Sequence, residues 1–564
     1  MEKSNKLSSL LKNIFTYQEN EEYDFYLSNE KSNIPNPASD EFAEYKEIFS
    51  TLNVNLEYLK YKYNALISSD VKFREFQFTV RDKQYNACII YIDGMVNSQI
   101  INDFILKPLM LLDKGIKHKS VPTAISNNIT VRKVKKFNLE DYVYNSLLPQ
   151  NDIKKVSEFN DIISDINSGN CALLIDTMAG AFSLDVKGFK HRSVSEPQNE
   201  IVVRGSQEAF VEVIRVNTSI LRRLVNSENL IIENSTVGKI SKTKVAICYL
   251  KNIANDDLVG EVKYRINNLD IDSLVSSGQL EQLIQDNGST SFPQMISTER
   301  PDKVVNLLFE GRVAVIINGS PYVLVCPGIF VDFISSPEDL NLKYQFSNIL
   351  RIIRIIAIFF SLLLPGLYIA ITSYHPELIP TELLFAIAAS RESVPFPIIF
   401  EIVVMEISFE LIREAGLRVP SPIGPTIGIV GALILGEAAV SASIVSPILI
   451  IVVSITAICS FAVPDFSLSF TLRFLRFLFL FLGYIAGFLG IAFGLFVYCA
   501  ILAGLKSFGV SYLSPYFPCE NKDTESTLFL KPIWLREKRS NFLGTKKIDE
   551  EGPISMLWKK PKKN

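Results

Sequence analysis

Apolar and charged residues are unevenly distributed along this chain of 564 residues. Charged side chains are concentrated in residues 1–345, whereas apolar side chains dominate from about 350 to 505. An α-helix needs about 20 apolar residues to cross about 30 Å of hydrocarbon, and the second part supplies several such runs. The pattern therefore predicts a soluble N-terminal region followed by an all-α polytopic membrane domain.

Four apolar runs in the second part have the length of spanning helices, and they cover about 352–373, 424–446, 447–463 and 474–504. The chain opens without the basic start and apolar core of a secretory signal, which favours a cytoplasmic N-terminal region. Basic residues outnumber acidic ones after Lys506, which favours a cytoplasmic C-terminal tail. With both ends on one side the number of crossings is even, so we predict four rather than five.

Residues 376–418, between the first two runs, carry charged side chains among apolar stretches. Each charge would cost several kcal/mol if it faced lipid. The segment is therefore predicted to be an amphipathic or re-entrant helix, or a helix buried against its neighbours. An interfacial helix with solvated charges explains the same residues. Six of them form a candidate membrane charge network: Arg391, Glu392, Glu401, Glu406, Glu410 and Arg413.

A strand followed by a helix occurs at least twice in the soluble part, at Cys88–Asp93 and at Lys244–Leu250. A strand that begins with glycine comes later in each half, at Gly169–Asp176 and at Gly311–Asn318. Strands that alternate with helices indicate α/β lobes, and the echo predicts two related ones. Any buried strand followed by a turn gives a similar pattern, which leaves the alternative of unrelated lobes open.

These patterns set the predicted boundaries. They are 1–65 for a polar arm, 66–228 and 229–345 for the two lobes, 346–508 for the membrane domain and 509–564 for a basic cytoplasmic tail.

The candidate chemistry argues against an enzyme. The seven cysteines form no Cys-x-x-Cys pair and the chain has three histidines, so we expect no metal site and no cofactor. The sequence Val237-Gly238-Lys239 is followed by Ile240 where a phosphate loop needs Ser or Thr. Asp176, Asp185, Lys187 and His191 lie close together in sequence, but charged residues in loops are usually solvated or paired. A formal net charge of −3 gives no reason to expect nucleic-acid binding.

Several stretches in both parts of the chain carry a family resemblance. In the soluble part they include Ile92-Asp-Gly-Met-Val96, Asp185-Val-Lys-Gly-Phe189, Val203-Arg-Gly-Ser206 and Gly311–Pro321; in the membrane part they include His375–Thr381, Phe409–Gly416, Ile423–Gly428 and Gly436–Val440. Together these stretches resemble the A subunits of the GerA family of spore germinant receptors, over about 70–540. Thr177 and Asn318 depart from the family pattern, where Gly and Asp are expected.

The resemblance implies a complex in the spore inner membrane with a transporter-like B subunit and a lipoprotein C subunit. It implies that the complex responds to nutrients and that the B subunit binds them. It also implies that A subunits associate into an oligomeric, nutrient-gated cation channel whose terminal regions face the spore core.

About four spans are too few to enclose a pore, so a pore needs several copies, and a closed ring is the common arrangement. The best candidate for the lining is 424–446, because its small residues allow close helix packing. Glu437 would form a carboxylate ring that favours cations, and Val430 and Leu433 would form an apolar gate. Tight packing within one chain explains the same small residues.

A second hypothesis concerns assembly of the ring. Arg204, Arg222 and Arg223 are predicted to pair with acidic neighbours while the soluble lobes assemble the ring. Two alternative functions remain open. One is a channel paralogue similar to the stage V sporulation AF protein, which amplifies ion release without direct nutrient gating. The other is a membrane scaffold that couples the nutrient-binding subunit to separate effectors.

Overall fold

The structure, a computed structural model, describes part of the chain: residues 25–27, 45–80, 83–111, 138–188, 197, 200, 202–418, 436–517, 529–536 and 538–550. The candidate gate residues Val430 and Leu433, and most of the predicted span 424–446, lie outside the described residues. Much of the predicted polar arm over 1–65 lies outside them as well.

The first lobe is built on an antiparallel sheet of five strands in the order β1-β2-β4-β5-β3. The strands are Val71–Val80 (β1), Lys83–Ile92 (β2), Ile153–Val156 (β3), Cys171–Ile175 (β4) and Ala181–Leu184 (β5). Successive side chains of a strand point to opposite faces of the sheet. In β2, Cys88 and Ile90 therefore pack into one core, and Ala87 and Ile89 into another. Both faces of this sheet are buried.

Helices cover the two faces of the first sheet. One face carries α1 (Leu52–Lys62) and α2 (Phe159–Asn167). The opposite face carries short helical segments, which are Ser98–Ile100, Ile101–Leu106, Lys107–Leu111, Leu139–Tyr142 and Val143–Leu147. In α2, Phe159, Ile162 and Ile166 recur every three or four residues, which gives the helix one apolar face toward the sheet.

The second lobe repeats this arrangement, with an antiparallel sheet in the order β6-β7-β9-β10-β8. Its strands are Leu230–Val237 (β6), Thr243–Leu250 (β7), Ile296–Thr298 (β8), Val313–Ile317 (β9) and Val323–Cys326 (β10). Its helices are α3 (Ile214–Leu224) and α6 (Pro301–Phe309) on one face, α4 (Asp256–Asn267) and α5 (Ser277–Ile284) on the other, and α7 (Phe330–Ile334) after the sheet.

Equivalent hydrogen bonds fix the helix that precedes each sheet. The Asn55 amide bonds the backbone N–H and carbonyl of Phe49, at 3.0 and 2.7 Å. Asn217 bonds those of Val211 in the same way, at 2.9 and 2.6 Å. Helix α3 therefore has the place in the second lobe that α1 has in the first. Helix α1 lies before the predicted start of the first lobe at 66, and α3 lies before that of the second at 229. The lobe boundaries themselves remain predictions.

The turn after the central strand also recurs. Asp176 Oδ1 accepts from the N–H of the first residue of α1 at 3.2 Å, and Asn318 Oδ1 accepts from that of α3 at 3.3 Å. The next residue has a positive φ in both lobes, +74° at Thr177 and +97° at Gly319. Glycine adopts this conformation freely, whereas a β-branched residue is strained there. The shared strand order and these matching bonds support the prediction of two related lobes.

The C-terminal part is helical. Its helices are α8 (Tyr344–Tyr374), α9 (Thr381–Arg391), α10 (Ile398–Arg418), α11 (Pro447–Phe461) and α12 (Phe466–Gly504). Among the described residues, α8 and α12 are the two helices long and apolar enough to cross a membrane, and α11 is apolar but shorter. Two of the four predicted spans, 352–373 and 474–504, lie within these two helices, and the number of crossings remains a prediction. The charged segment 376–418 forms α9 and α10.

Helix α12 doubles back on itself at Gly487, where φ is +59° and ψ is −137°. In a straight helix Phe479 and Tyr498 would lie about 28 Å apart at 1.5 Å per residue. Their ring centroids are instead 6.3 Å apart, so the chain reverses between them. The predicted single span 474–504 is therefore corrected to a helical hairpin of two antiparallel arms. The sequence did not indicate this turn, because the residues on both sides of Gly487 are apolar and no polar loop separates them.

Helix α8 packs against the first arm of this hairpin through glycine. A Cβ atom on Gly366 would lie 2.8 Å from Phe479 O, and one on Gly483 would lie 2.7 Å from Gly366 O. Small residues allow such backbone contact between apolar helices. At the turn of the hairpin, the Tyr374 hydroxyl donates to Tyr484 O at 2.6 Å. The C-terminal end of α8 therefore lies beside the turn.

The second lobe holds the other ends of these helices. Asp339 is buried and accepts from Arg351 Nε at 2.9 Å and from Arg354 Nη1 at 2.7 Å, near the start of α8. After α12, the strands β11 (Lys506–Ser507) and β12 (Val510–Ser511) form a small hairpin whose Phe508 ring is buried in the second-lobe core.

Three contacts fix this small hairpin. The Arg265 guanidinium lies 4.4 Å from the centroid of the Phe508 ring, and Phe508 N donates to Asp286 Oδ2 at 2.5 Å. Ser507 Oγ donates to Gln294 O at 2.5 Å. The C-terminal end of α12 is therefore anchored in the second lobe.

Candidate functional site

The candidate site is a seam of ion pairs between α10 and the first arm of α12. Its most buried pair joins Glu406 to Arg476, with 2.5 Å between Glu406 Oε2 and Arg476 Nη1. Both side chains are almost completely removed from solvent. A charge in apolar surroundings is tolerated when it is paired, so each of these residues makes the other's position possible.

The second group of the seam, in which one carboxylate meets two guanidinium groups, lies one turn along both helices. Glu410 accepts from Arg413 Nη1 at 3.1 Å and from Arg473 Nη1 at 3.3 Å. Arg413 also donates to Ser460 Oγ at 2.8 Å, which ties the seam to α11. Glu406 and Glu410 are four residues apart on α10, and Arg473 and Arg476 are three apart on α12. The two helices therefore present opposite charges to each other, glutamates on α10 and arginines on α12.

A separate ion pair links α9 to α10. Arg391 Nη2 lies 3.3 Å from Glu401 Oε1, and Glu401 Oε2 accepts from the Ser446 N–H at 3.1 Å. Glu401 is buried, and it thereby joins α9, α10 and the start of α11. Glu392 is exposed and belongs to neither group. The structure thus distributes the six predicted network residues over two clusters and one exposed position.

Sequence reasoning missed Arg473 and Arg476, which are the positive charges that α12 contributes to the seam. The signal was present, because two arginines three residues apart interrupt an otherwise apolar run. Charges within so apolar a helix call for partners on a neighbouring helix. The spacing of Glu406 and Glu410 on α10 would have identified that partner.

The seam is incompletely hydrogen-bonded. Among the described residues, Glu406 Oε1 and Arg476 Nε and Nη2 are buried and lack a hydrogen-bond partner. A buried ion pair offsets its desolvation only when its remaining donors and acceptors are also satisfied. The Glu406–Arg476 pair therefore contributes little to the stability of the contact between α10 and α12. Loss of either partner would nevertheless be costly, because it would leave an unpaired buried charge.

Glu437, the candidate pore carboxylate, is exposed on the helical residues 436–441. Ala439, two residues further on, belongs to the same apolar core as Ile402 and Leu480. A Cβ atom on Gly436 would lie 3.9 Å from a side-chain carbon of Ile450 in α11. Glu437 is thus an exposed carboxylate on a segment that packs among apolar helices. Its partners Val430 and Leu433 in the predicted gate lie outside the described residues.

The predicted assembly residues have different surroundings. Arg222 is buried at the joint between the lobes, where its Nε donates to Asp70 Oδ2 at 2.7 Å and its Nη2 to Asp70 Oδ1 at 3.0 Å. Arg223 pairs with Glu208, and Arg204 is exposed. Arg222 and Arg223 therefore have acidic partners within the chain. Their role in assembly remains a prediction.

Two repeated α/β lobes anchor helices whose length and apolarity fit membrane association, and these helices enclose paired charges. This architecture defines a class of protein in which repeated α/β lobes are joined to apolar helices that carry paired charges. The chain belongs to the Bacillus/Clostridium GerA spore germination protein family, whose model matches residues 57–542.

Individual relatives agree with this family. Spore germination protein KA of Bacillus subtilis (strain 168) is 38% identical over 472 residues, which cover 84% of this chain and 83% of the relative. Spore germination protein A1 of the same organism is 40% identical over 402 residues, which cover 71% of this chain and 83% of the relative.

A solved structure is also similar: the crystal structure of the N-terminal domain of the A subunit of the Bacillus megaterium spore germinant receptor GerK3. It is 29% identical, covers 51% of this chain and 99% of its own, and superimposes with a TM-score of 0.36.

Proposed function

We propose that the chain is the A subunit of a nutrient-sensing spore germinant receptor. In this proposal several copies form a ring in the spore inner membrane, with both terminal regions on the core side, and the ring is a nutrient-gated cation channel. A transporter-like B subunit binds the nutrient and a lipoprotein C subunit completes the complex. Membership of the GerA family supports the germination role.

The exposed Glu437 carboxylate is the observation that supports a channel. A carboxylate among apolar helices is costly against lipid, so it requires water or a second protein surface. A ring of chains that directs Glu437 toward a water-filled axis satisfies this requirement, and a ring of carboxylates favours cations.

Planar-bilayer recording tests the channel. The purified full-length chain is reconstituted alone and with its B and C partners and nutrient, beside Glu437→Gln and Val430→Ala variants. We expect a cation-selective current, a lower cation preference after Glu437→Gln, and a changed closed state after Val430→Ala. Glu392→Gln is the control, because Glu392 is exposed outside the candidate lining. Silence with the partners and nutrient present would favour the scaffold alternative.

The paralogue alternative needs a different measurement. A channel that amplifies ion release without direct nutrient gating would conduct without its B and C partners. We expect instead that spores lacking either partner lose the nutrient response of this chain. A response that survives loss of both partners would favour the paralogue.

The α10–α12 seam is proposed as the gating charge network of this channel. Arg476 holds Glu406 in a buried pair, so cations reach the Glu406 carboxylate only if the two helices separate. Glu410 is partly exposed, and its pairs with Arg413 and Arg473 hold the same two helices together. Glu410→Gln weakens the hold of α10 on Arg473 and is expected to raise the probability of opening. An unchanged opening probability beside an altered Glu437→Gln current would exclude the seam as the gate while retaining the pore.

A further inference from the structure

The segment Phe529 to Arg536 lies against the first turns of α8. Asn348 fixes it by two hydrogen bonds: Asn348 Nδ2 donates to Leu530 O at 3.2 Å, and Leu530 N donates to Asn348 Oδ1 at 2.8 Å. The rings of Tyr344 and Trp534 meet edge to face with centroids 6.3 Å apart. Asn348 therefore holds the segment against α8, three residues before Arg351. The long apolar part of α8 begins at Arg351.

This segment exposes three consecutive large apolar side chains. Ile533 is 57% exposed, Trp534 48% and Leu535 55%, within a single turn of 3-10 helix. Basic residues stand on both sides, at Lys531 and Arg536. A contiguous exposed apolar patch with a charged rim is typical of a surface that contacts a membrane or another protein.

An exposed apolar stripe on α8 starts beside the segment. Its members recur every three or four residues, which places them on one face of the helix: Phe346, Ile349, Ile353, Ile356 and Phe360. In the proposed membrane placement this stripe faces lipid. The segment then lies where the lipid-facing stripe meets the cytoplasmic surface of the bilayer.

We propose that residues 529–536 are a membrane-surface anchor. Ile533, Trp534 and Leu535 insert among the lipid headgroups of the cytoplasmic leaflet, and Lys531 and Arg536 attract anionic headgroups. Tryptophan is enriched at this depth because its ring is apolar and its N–H is polar. Basic residues next to a membrane helix are attracted by the negative potential of anionic lipid. The inference rests on the membrane placement proposed above.

The anchor fixes the position of the soluble lobes relative to the bilayer. The start of α8 is held by Asp339 of the second lobe and, three residues before Arg351, by the segment through Asn348. A segment attached to the membrane surface would therefore keep the second lobe at a constant height while the helices move.

Tryptophan fluorescence tests the anchor directly, because the chain has two tryptophans, Trp534 and Trp558. The Trp558→Phe variant of the full-length chain leaves Trp534 alone. It is reconstituted in vesicles of phosphatidylcholine and phosphatidylglycerol that contain lipid brominated near the headgroup or deep in the acyl chain. We expect strong quenching by the shallow bromine, weaker quenching by the deep bromine and little quenching by aqueous acrylamide.

A second single-tryptophan protein separates the anchor from the membrane placement. Phe493, exposed on the second arm of α12, is replaced by tryptophan in a Trp534→Phe, Trp558→Phe background. Quenching at position 493 without bromolipid quenching at Trp534 would overturn the anchor and retain the placement. The anchor would be overturned whether acrylamide quenches Trp534, which indicates exposure to water, or neither bromolipid nor acrylamide quenches it, which indicates cover by protein. Absence of bromolipid quenching at both positions would overturn the placement and the anchor together.

Charge variants test the attraction of anionic lipid. In the Trp558→Phe protein, Lys531→Gln with Arg536→Gln is expected to reduce shallow quenching in anionic vesicles to its value in neutral ones. Lys547→Gln is the matched control, because Lys547 is an exposed basic residue of the same tail outside the segment. Shallow quenching that is equal in neutral and anionic vesicles for the parent protein would overturn the role of the two basic residues.

Discussion

The two lobes have the same strand order but different connections to the rest of the molecule. The second lobe holds α8 through Asp339, accepts Phe508 into its core and is contacted by the tail through Arg539, which donates to Phe309 O at 2.6 Å. The contacts described above between the first lobe and the rest of the chain run through the second lobe, chiefly at Asp70 and Arg222. The comparison teaches that one copy of a repeated fold holds the apolar helices, whereas the other copy is attached to the first.

The largest expected effect comes from breaking the joint between the lobes. Arg222→Leu leaves the buried Asp70 carboxylate unpaired, and loss of one partner of a buried pair costs about 3–5 kcal/mol. We expect a lower melting temperature for the full-length chain in detergent, and proteolysis of the first lobe before the second. The melting curve and the order of fragments are the measurements.

Two variants control this experiment. Lys60→Met removes the exposed pair Lys60–Glu75, 3.1 Å apart, and should cost less than about 1 kcal/mol. Asp70→Leu combined with Arg222→Leu should recover part of the loss, because a buried pair replaced by apolar residues leaves no unpaired charge. Equal sensitivity of the two lobes to protease would contradict the comparison.

A somewhat smaller effect is expected where α12 joins the second lobe. Phe508→Ala empties a buried aromatic site, and such truncations cost about 3–5 kcal/mol when the site does not collapse. Alanine at the positive φ of 46° relieves little backbone strain, so the cost reflects the lost packing of the ring. Hydrogen exchange should accelerate in the second lobe while that of the first lobe is unchanged.

The control for this variant is Ile240→Ala, which truncates an exposed side chain of the same lobe. It should leave both the melting temperature and the exchange rates as they are. Faster exchange in the first lobe after Phe508→Ala would show that the two lobes respond as one unit, against the comparison.

The smallest expected effect is a dependence on pH in the second lobe. Burial, with a contribution from the Asp465 carboxylate, raises the pKa of Glu281 to about 7. The folded chain therefore binds this proton more tightly than the unfolded chain, whose glutamates titrate at about 4.3. The free energy of unfolding should fall as pH rises from about 4.3 to 7, by about 1–3 kcal/mol, and remain low above it.

Glu281→Gln should remove this slope, so that the variant exceeds the parent protein in melting temperature at pH 8 and matches it more closely at pH 5. Glu57→Gln, at an exposed position of α1, is the control in the first lobe. A pH slope that persists in Glu281→Gln would assign the effect to another group.

Much of the fold was predictable from local pattern. The glycine-led strands at Gly169 and Gly311 indicated the repeat, and both glycines have a positive φ, +97° and +98°. The helix that opens each lobe was missed, because its link to the sheet depends on Asp176 and Asn318, more than a hundred positions further along the chain. Hydrophobic periodicity reports local secondary structure and does not indicate contacts between residues so far apart in sequence.

Three residues of the candidate site were predictable from the sequence: Glu406, Glu410 and Arg413. Glu406 and Glu410 stood out because charges among apolar residues are conspicuous, and their spacing placed them on one face. Their partners Arg473 and Arg476 were overlooked at the edge of a predicted span. The reversal at Gly487 was hidden because the residues on both sides are equally apolar, so only the packing of Phe479 against Tyr498 reveals it.

In the proposed membrane placement, the hairpin formed by α12 also bears on how the chain enters a bilayer during synthesis. No charged residue occurs between Arg476 and Lys506, and the turn at Gly487 contains no polar loop. With that placement, both arms would pass into lipid as one unit, without charged groups being carried across. The stretch around His375, Glu377 and Glu382 has the opposite character, so its transfer would be the demanding step of biogenesis.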